Sequence, residues 1–272
     1  MRRPALLIAI VALVVLAAGC GRNGKATDYA TSQPFPDTLR VATLYSPLSY
    51  FIYRGEPMGI DYTLVDSMAA DNGMVLDLTV ARTLSEAVGM LDSGKVDLIA
   101  YPVPITEHYK KYVMPCGPEN LTTQVLVQPK VQGLAPITDI TELVGKDVYV
   151  EKDSKYLRRM QNLNDELGGG INIVEVDADS IITEDLLEMV SEGKIPLTVV
   201  DSDIARLNMT YYPDLDISLP VSFEQRSAWA VAPGNDRLAE SIDKWFGEAQ
   251  AKVIDEELLK RFFEQMKNGS AI

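Results

Sequence analysis

The sequence is poor in the side chains that most often do chemistry. In 272 residues it holds one histidine, His108, and two cysteines, Cys20 and Cys116. Cys20 closes an apolar N-terminal run, so a leader cut there leaves one thiol in the folded body. One thiol allows no internal disulfide, and one thiol with one histidine argues against a protein-built zinc site. His108 also stands near no G-x-S-x-G segment, which removes the simplest Ser–His–Asp reading. Positive charge is scarce too: 25 Lys and Arg against 39 Asp and Glu give a net charge of -14. Such a surface disfavours nucleic acid and is repelled by anionic lipid. Beyond the first twenty residues no apolar run is long enough to span a membrane, and nothing singles out a catalytic carboxylate pair among the acids.

What is present begins with "MRRPALLIAIVALVVLAAGC". Two arginines precede an apolar run from Ala5 to Ala18, about 14 residues, short for a membrane span and right for a secretory signal. "LAAGC" resembles a lipobox, with Ala17 where leucine is commoner. Residues 1–19 are then a signal peptide, and Cys20 becomes the acylated first residue of the mature chain. Loss of Arg2 and Arg3 with the leader takes the net charge from -14 to about -16. Two or three acyl chains, at about 0.8 kcal/mol per buried CH₂, hold a protein stably on a bilayer. Gly21, with no acidic run after it, favours the outer membrane; an uncleaved N-terminal anchor is the alternative. Residues 20–37 are polar, small and proline-bearing, a tether with a coil reach of roughly 20–25 Å.

The body contains an internal echo. "MLDSGKVDLIAY" (90–101) and "MVSEGKIPLTVV" (189–200) align without gaps at an offset of 99, with Met, Gly, Lys and Leu coinciding. Each copy reads as a helix end, a C-cap glycine and an apolar strand. Upstream, "LRVATL" (39–44), a helix at 60–72 and "MVLDLTV" (74–80) match "KDVYVE" (146–151), a helix at 154–167 and "INIVEV" (171–176). "TLSE" adds a capping box, with Thr83 as N-cap and Glu86 reaching back. Each half is βαβαβ, so the spacing predicts an α/β protein of two lobes, each a mostly parallel sheet flanked by helices. Ligands of open parallel sheets bind beyond the carboxyl ends of the strands. Residues 101–109 occupy that place in the first lobe and Asp201 in the second.

"LRVATLYSPLSY", "GIDYTLVDSMA" and "GKVDLIA…ITEHYKKY" resemble segments of the family 3 extracellular solute-binding proteins. Within that family, "INIVEVDADSIITEDLLEMVSEGKIPLTVVDSDIARLNMTYYPDL" and "SAWAVAPGNDRLAESIDKWF" resemble the N-terminal binding domain of the membrane-bound lytic murein transglycosylase F group. The likeness covers residues 38–266. It implies a type II periplasmic-binding-protein fold with a hinge: lobe one at 38–124, lobe two at 125–221, and a return to lobe one with C-terminal helices at 222–268.

The resemblance also places candidate ligand-binding residues. Tyr45 and Tyr50 belong to the aromatic loop that packs against ligand. Tyr101, Thr106 and Tyr109 line the end of the third strand, with Tyr101 and Tyr109 expected as exposed aromatics of a cleft. Ser154 falls at a helix N-terminus suited to an anion or polar head. Asp201 matches the aspartate that holds an α-amino group. For Asp201 and Ser154 capping is the plain alternative, and for Tyr45 packing between lobes. Where amino-acid binders carry a carboxylate-holding arginine this sequence has Tyr109, and Tyr101, Pro102 and Pro104 replace the hydroxyl residues upstream. His108, Lys110, Lys111, Arg158 and Arg159 are expected to be solvated, and Cys116 to be a buried or half-buried spectator.

The lytic transglycosylases owe catalysis to a lysozyme-like C-terminal domain, and the sequence printed here ends at Ile272 with nothing matching it. The expectation is a lipid-anchored, non-catalytic binding protein of the periplasm, monomeric and without cofactor or metal. It captures a small ligand, an amine-bearing solute or a cell-wall fragment, for transport or sensing. An ABC permease or a peptidoglycan enzyme is the expected partner. The alternatives are the substrate-binding portion of a lytic transglycosylase and a regulatory module with a degenerate cleft.

Overall fold

The computed structural model describes residues 35–133, 135–177 and 181–249. The expected leader, Cys20 and most of the tether, and the chain after residue 249, lie outside the described residues. The first sheet is nucleated by β1 (Thr38–Leu44), whose residues are buried nearly throughout. That is the pattern of a strand covered on both faces. Next come a hairpin of β2 (Phe51–Tyr53) and β3 (Glu56–Met58), the helix α1 (Ile60–Asp71), β4 (Val75–Ala81), α2 (Leu84–Asp92) and β5 (Leu98–Pro104). β4 and β5 both run parallel to β1, one on each side of it. Alternation along β1 sends Val41 to a core with Met68, Trp229 and Phe246. Its neighbour Ala42 faces a second core with Leu91, Ile99 and Val113.

The second sheet repeats the plan with β8 (Asp147–Glu151), α3 (Lys155–Glu166), β9 (Asn172–Val176), α4 (Thr183–Ser191) and β10 (Thr198–Asp201). β9 and β10 flank β8 in parallel. The echo holds down to individual hydrogen bonds. Gly94 and Gly193 both take positive φ, 69° and 72°. After them the N–H groups of Lys95 and Lys194 donate to the carbonyls of Met90 and Met189 at 2.9 and 2.8 Å. These are two copies of one Schellman-type cap. The capping box of α2 is looser than expected. Thr83 Oγ accepts from the Glu86 N–H at 3.1 Å, but the Glu86 carboxylate accepts from the N–H of Arg82.

Four further strands make the lobes repeat one plan. β6 (Met114–Thr122) and β12 (Gln225–Val231) complete the first sheet in the order β4-β1-β5-β12-β6. β7 (Gln124–Pro129) and the short β11 (Leu215–Asp216) complete the second, read as β9-β8-β10-β7-β11. In each sheet one strand opposes the others, β12 in the first and β7 in the second. Both are the strands by which the chain enters a lobe from the other one.

The outward passage is a single residue, Thr123, between β6 and β7, and the return lies between β11 and β12. The two passages are laced together. The N–H of Val221 donates to the Gln124 carbonyl at 2.8 Å, and the Gln124 N–H donates to Ser222 Oγ at 2.8 Å. Two more helices follow, the short α5 (Ser202–Asn208) after β10 and the longer α6 (Asp236–Ala249), which packs on β6. No helix among the described residues is long and apolar enough to cross a membrane.

Candidate functional site

The carboxyl ends of the parallel strands of both sheets meet in one cleft. Leu44, Ala81 and Glu151 end β1, β4 and β8 there, and they line a cavity of about 350 Å³ together with Tyr101 and the first turn of α4. Ser85 of α2 donates a hydrogen bond to the carbonyl of Asp153, 3.2 Å across the gap between lobes. Beyond a partition lies a second cavity of about 240 Å³, lined by Thr106, His108 and Tyr109 from the first lobe and Lys155 and Arg158 from the second.

The partition is an ion pair that the sequence reading did not foresee. Lys155 and Asp201 are both buried, and the lysine Nζ donates to Asp201 Oδ2. The ammonium also lies over two rings, 5.3 Å from the centroid of Tyr101 and 5.5 Å from that of Tyr156. Burial alone would lower the lysine pKa, but the Asp201 charge outweighs it and holds the group protonated, well above its ordinary value. Asp201 stands at the N-cap of α5 yet makes no side-chain capping bond. Its carboxylate is spent on Lys155. One signal was present in the sequence: Lys155 is the first residue of α3, where a cation opposes the helix dipole.

The expected site residues are dispersed around this partition. Tyr101 and Tyr109 are buried rather than exposed, because Lys155 covers one ring and the His108 ring packs edge-on against the other at 4.9 Å. Tyr101 lines the larger cavity; Thr106 and Tyr109 line the smaller. Tyr45 is half exposed at the rim of the larger cavity and tilts against Tyr50 at 5.8 Å. Tyr50 turns on to Tyr62, 5.6 Å away. Ser154 is the N-cap of α3: its Oγ accepts from the Leu157 N–H at 3.1 Å and donates to the Glu151 carbonyl at 2.6 Å. Both its hydrogen-bonding functions are used by the backbone.

The two cavities differ in charge. The smaller holds Arg158, and beside it Arg159 is half-buried, donating to the Val221 carbonyl at 2.7 Å and pairing with Glu166. Arg159 therefore braces α3 against the return passage rather than standing free in solvent. Partial burial, helped by Arg158 and Lys111, lowers the His108 pKa. The amide oxygen Oε1 of Gln124 is buried there without a partner. The larger cavity holds Glu151 and Glu184. Burial raises both carboxyls, Glu184 to about 8. Glu151 Oε2 accepts from Thr183 Oγ at 2.7 Å, whereas neither Glu184 oxygen has an aligned partner. Glu184 gave no warning in the sequence, since an acid in a first helical turn is ordinary.

Cys116 is a buried free thiol whose pKa burial drives upward, so it is inert as a nucleophile. Among the described residues no group of His, Cys, Asp and Glu is placed to hold a metal ion.

The chain spans about half the length of the curated relatives it matches. It is 32% identical over 271 residues to the membrane-bound lytic murein transglycosylase F of Desulfosudis oleivorans, covering 97% of this chain and 58% of that one. It is 30% identical over 267 residues to the protein of the same name from Ectopseudomonas mendocina, covering 97% and 53%. Among solved structures, an ancestral arginine-binding protein bound to arginine superposes with a TM-score of 0.72 at 23% identity, over 84% of this chain and 99% of that one. A mutant of ArgBP from T. maritima gives 0.70 at 26% identity, over 84% and 96%. The two-lobed fold is that of these binding proteins, and with a family match over residues 39–265 the chain belongs to the bacterial extracellular solute-binding proteins, family 3.

Proposed function

We propose that this protein captures a small solute between its lobes at the cell envelope, held there by acyl chains on Cys20, without catalysing a reaction on it. The observation that carries the reading is the cleft itself. It is fed by the strand ends of both sheets and holds two cavities, one acidic and one basic, either side of the Lys155–Asp201 pair. Glu184 and Gln124, which line it, each carry buried atoms without a partner, and such atoms are costly unless a ligand or water completes them. The amine-bearing class and cell-wall fragments, whose stem peptides carry both charges, fit this arrangement. Outer-membrane placement and an ABC permease or peptidoglycan enzyme as partner belong to the same proposal.

The test is a thermal-shift screen of the full chain against amino acids, amines, peptides and muropeptides. Dose-dependent stabilisation by at least one class is expected, since a ligand at a hundred times its Kd adds about 2.7 kcal/mol to the folded state. A flat response across all four classes overturns the reading.

A second reading is favoured by the relatives' names and by the length comparison: the chain corresponds to the binding portion of a peptidoglycan lytic transglycosylase. Both readings expect no soluble fragments when this chain alone is incubated with purified peptidoglycan. Release of anhydro-muropeptides above a heat-killed control would make the chain an enzyme.

A further inference from the structure

The larger cavity contains a carboxyl group that the fold does not use. Glu184 lies in the first turn of α4, and both of its oxygens are closed off from solvent with no hydrogen-bond partner. Its own backbone N–H offsets the cost of burial in part without forming an aligned bond. The residue before it, Thr183, gives its hydroxyl to Glu151, so the two carboxyls sit side by side at one corner. Among the described residues, the groups around that corner offer no compensating cation. Glu151 from β8 and Asp185 from α4 push Glu184 further toward its neutral form. Tyr45, Tyr101 and Tyr156 present rings. Arg82 at the rim is paired with Glu86, and Lys155 is committed to Asp201. An acid kept uncompensated beside a second acid, in the wall of a cavity of about 350 Å³ otherwise lined mainly by aromatic and aliphatic side chains, is complementary to a positive charge on an apolar stem.

We propose that the Glu151–Glu184 corner receives the cationic head group, an ammonium or guanidinium, of the ligand held in the cleft. The inference rests on the solute-capture reading and names the ligand's chemistry at that site. It also fixes a proton count. Burial leaves Glu184 protonated in the empty protein at neutral pH, its pKa raised to about 8. An arriving cation favours the carboxylate, so the Glu184 proton leaves to solvent as the cation binds. Affinity should then rise with pH, by about tenfold between pH 7 and 9, and level off above the pKa of the empty site.

Calorimetric titration of the full chain with n-pentylamine hydrochloride, and with n-pentanol as its neutral match, tests this. The amine should bind and the alcohol should bind at least tenfold more weakly. Titrations in buffers of different ionisation enthalpy at pH 7 should show release of close to one proton per amine, on the order of the full Glu184 proton. Glu184→Gln should weaken the amine tenfold or more and abolish both proton release and pH dependence. Glu151→Gln, a second variant should the first not fold, should also weaken the amine and release less proton, because Glu151 helps to keep Glu184 neutral. The inference is overturned if pentylamine does not bind, if pentanol matches it, or if Glu184→Gln binds it unchanged. Where pentylamine fails but an anionic or neutral compound stabilises the chain in the thermal-shift screen, this inference falls and solute capture stands. If nothing in that screen binds, both fall.

Discussion

Lys155 and Asp201 define the chemistry of the cleft because each is tolerable only in the presence of the other. Removing one partner of a buried ion pair leaves an uncompensated charge and costs about 3–5 kcal/mol, whereas exchanging both for apolar residues is often neutral. Asp201→Asn should therefore lower unfolding stability in urea by about 3–5 kcal/mol, and Lys155→Met with Asp201→Leu should recover most of that loss. A single-variant cost below about 1 kcal/mol would mean that the pair does not persist in solution. Glu184 supplies a second residue-scale expectation. Its carboxyl is raised to about 8 in the folded protein from an ordinary 4.5. Below the lower value both states are protonated and the group contributes nothing. Between the two the folded state binds more proton than the unfolded, so stability falls as pH rises, and the penalty is complete above about 8. Glu184→Gln should then leave the melting temperature near pH 4.5 unchanged and raise it at pH 9. Equal shifts at both pH values would show that the carboxyl is not perturbed.

Among the elements, the caps of α2 and α4 separate backbone cost from crowding. Gly94 and Gly193 need positive φ, but a Cβ on either would meet nothing within 4 Å. Gly193→Ala should cost about 1–2 kcal/mol by the left-handed backbone alone. Gly59, the N-cap of α1, differs: at φ 131° an added Cβ would lie 2.1 Å from the Ser49 carbonyl oxygen. Gly59→Ala should cost distinctly more than Gly193→Ala in the same urea assay, since backbone must shift. Equal costs would mean that the loop from Ser46 to Tyr50 yields freely. These caps were legible because a glycine after an apolar helix, followed by an apolar strand, is a local pattern repeated at a fixed offset. Strands β7 and β12 show in the sequence only as the stretches that follow the lobe boundaries at 124/125 and 221/222. Their antiparallel direction is set by the chain entering each lobe from the other, which no periodicity encodes. The pairing of Lys155 with Asp201, 46 positions apart, was likewise not legible: a lysine opening a helix is a local anomaly, but it names no partner.

At the scale of the whole molecule, two lobes of one plan enclose a site that has been rebuilt from within. A free α-amino acid needs a carboxylate to hold its ammonium and a cation nearby for its own carboxylate. Here the Asp201 carboxylate already holds an ammonium, that of Lys155. Opposite it stands the buried ring of Tyr109, where the resemblance to amino-acid binders would place an arginine. An α-amino acid entering the cleft must displace Lys155 and bury its carboxylate against the ring of Tyr109 instead of a guanidinium fork, the latter loss alone costing about 1–3 kcal/mol, or roughly tenfold to a hundredfold in affinity. The standard amino acids should therefore bind the unmutated chain no tighter than the millimolar range in calorimetry. Lys155→Ser combined with Tyr109→Arg should free the one subsite and supply the other, and so gain at least tenfold for a small amino acid such as alanine. Arg158, already lining the cavity beside Tyr109, works against that gain by repelling a second guanidinium. Micromolar binding of a common amino acid by the unmutated chain would show that Lys155 swings aside on ligand entry, and that the partition is a gate rather than a wall.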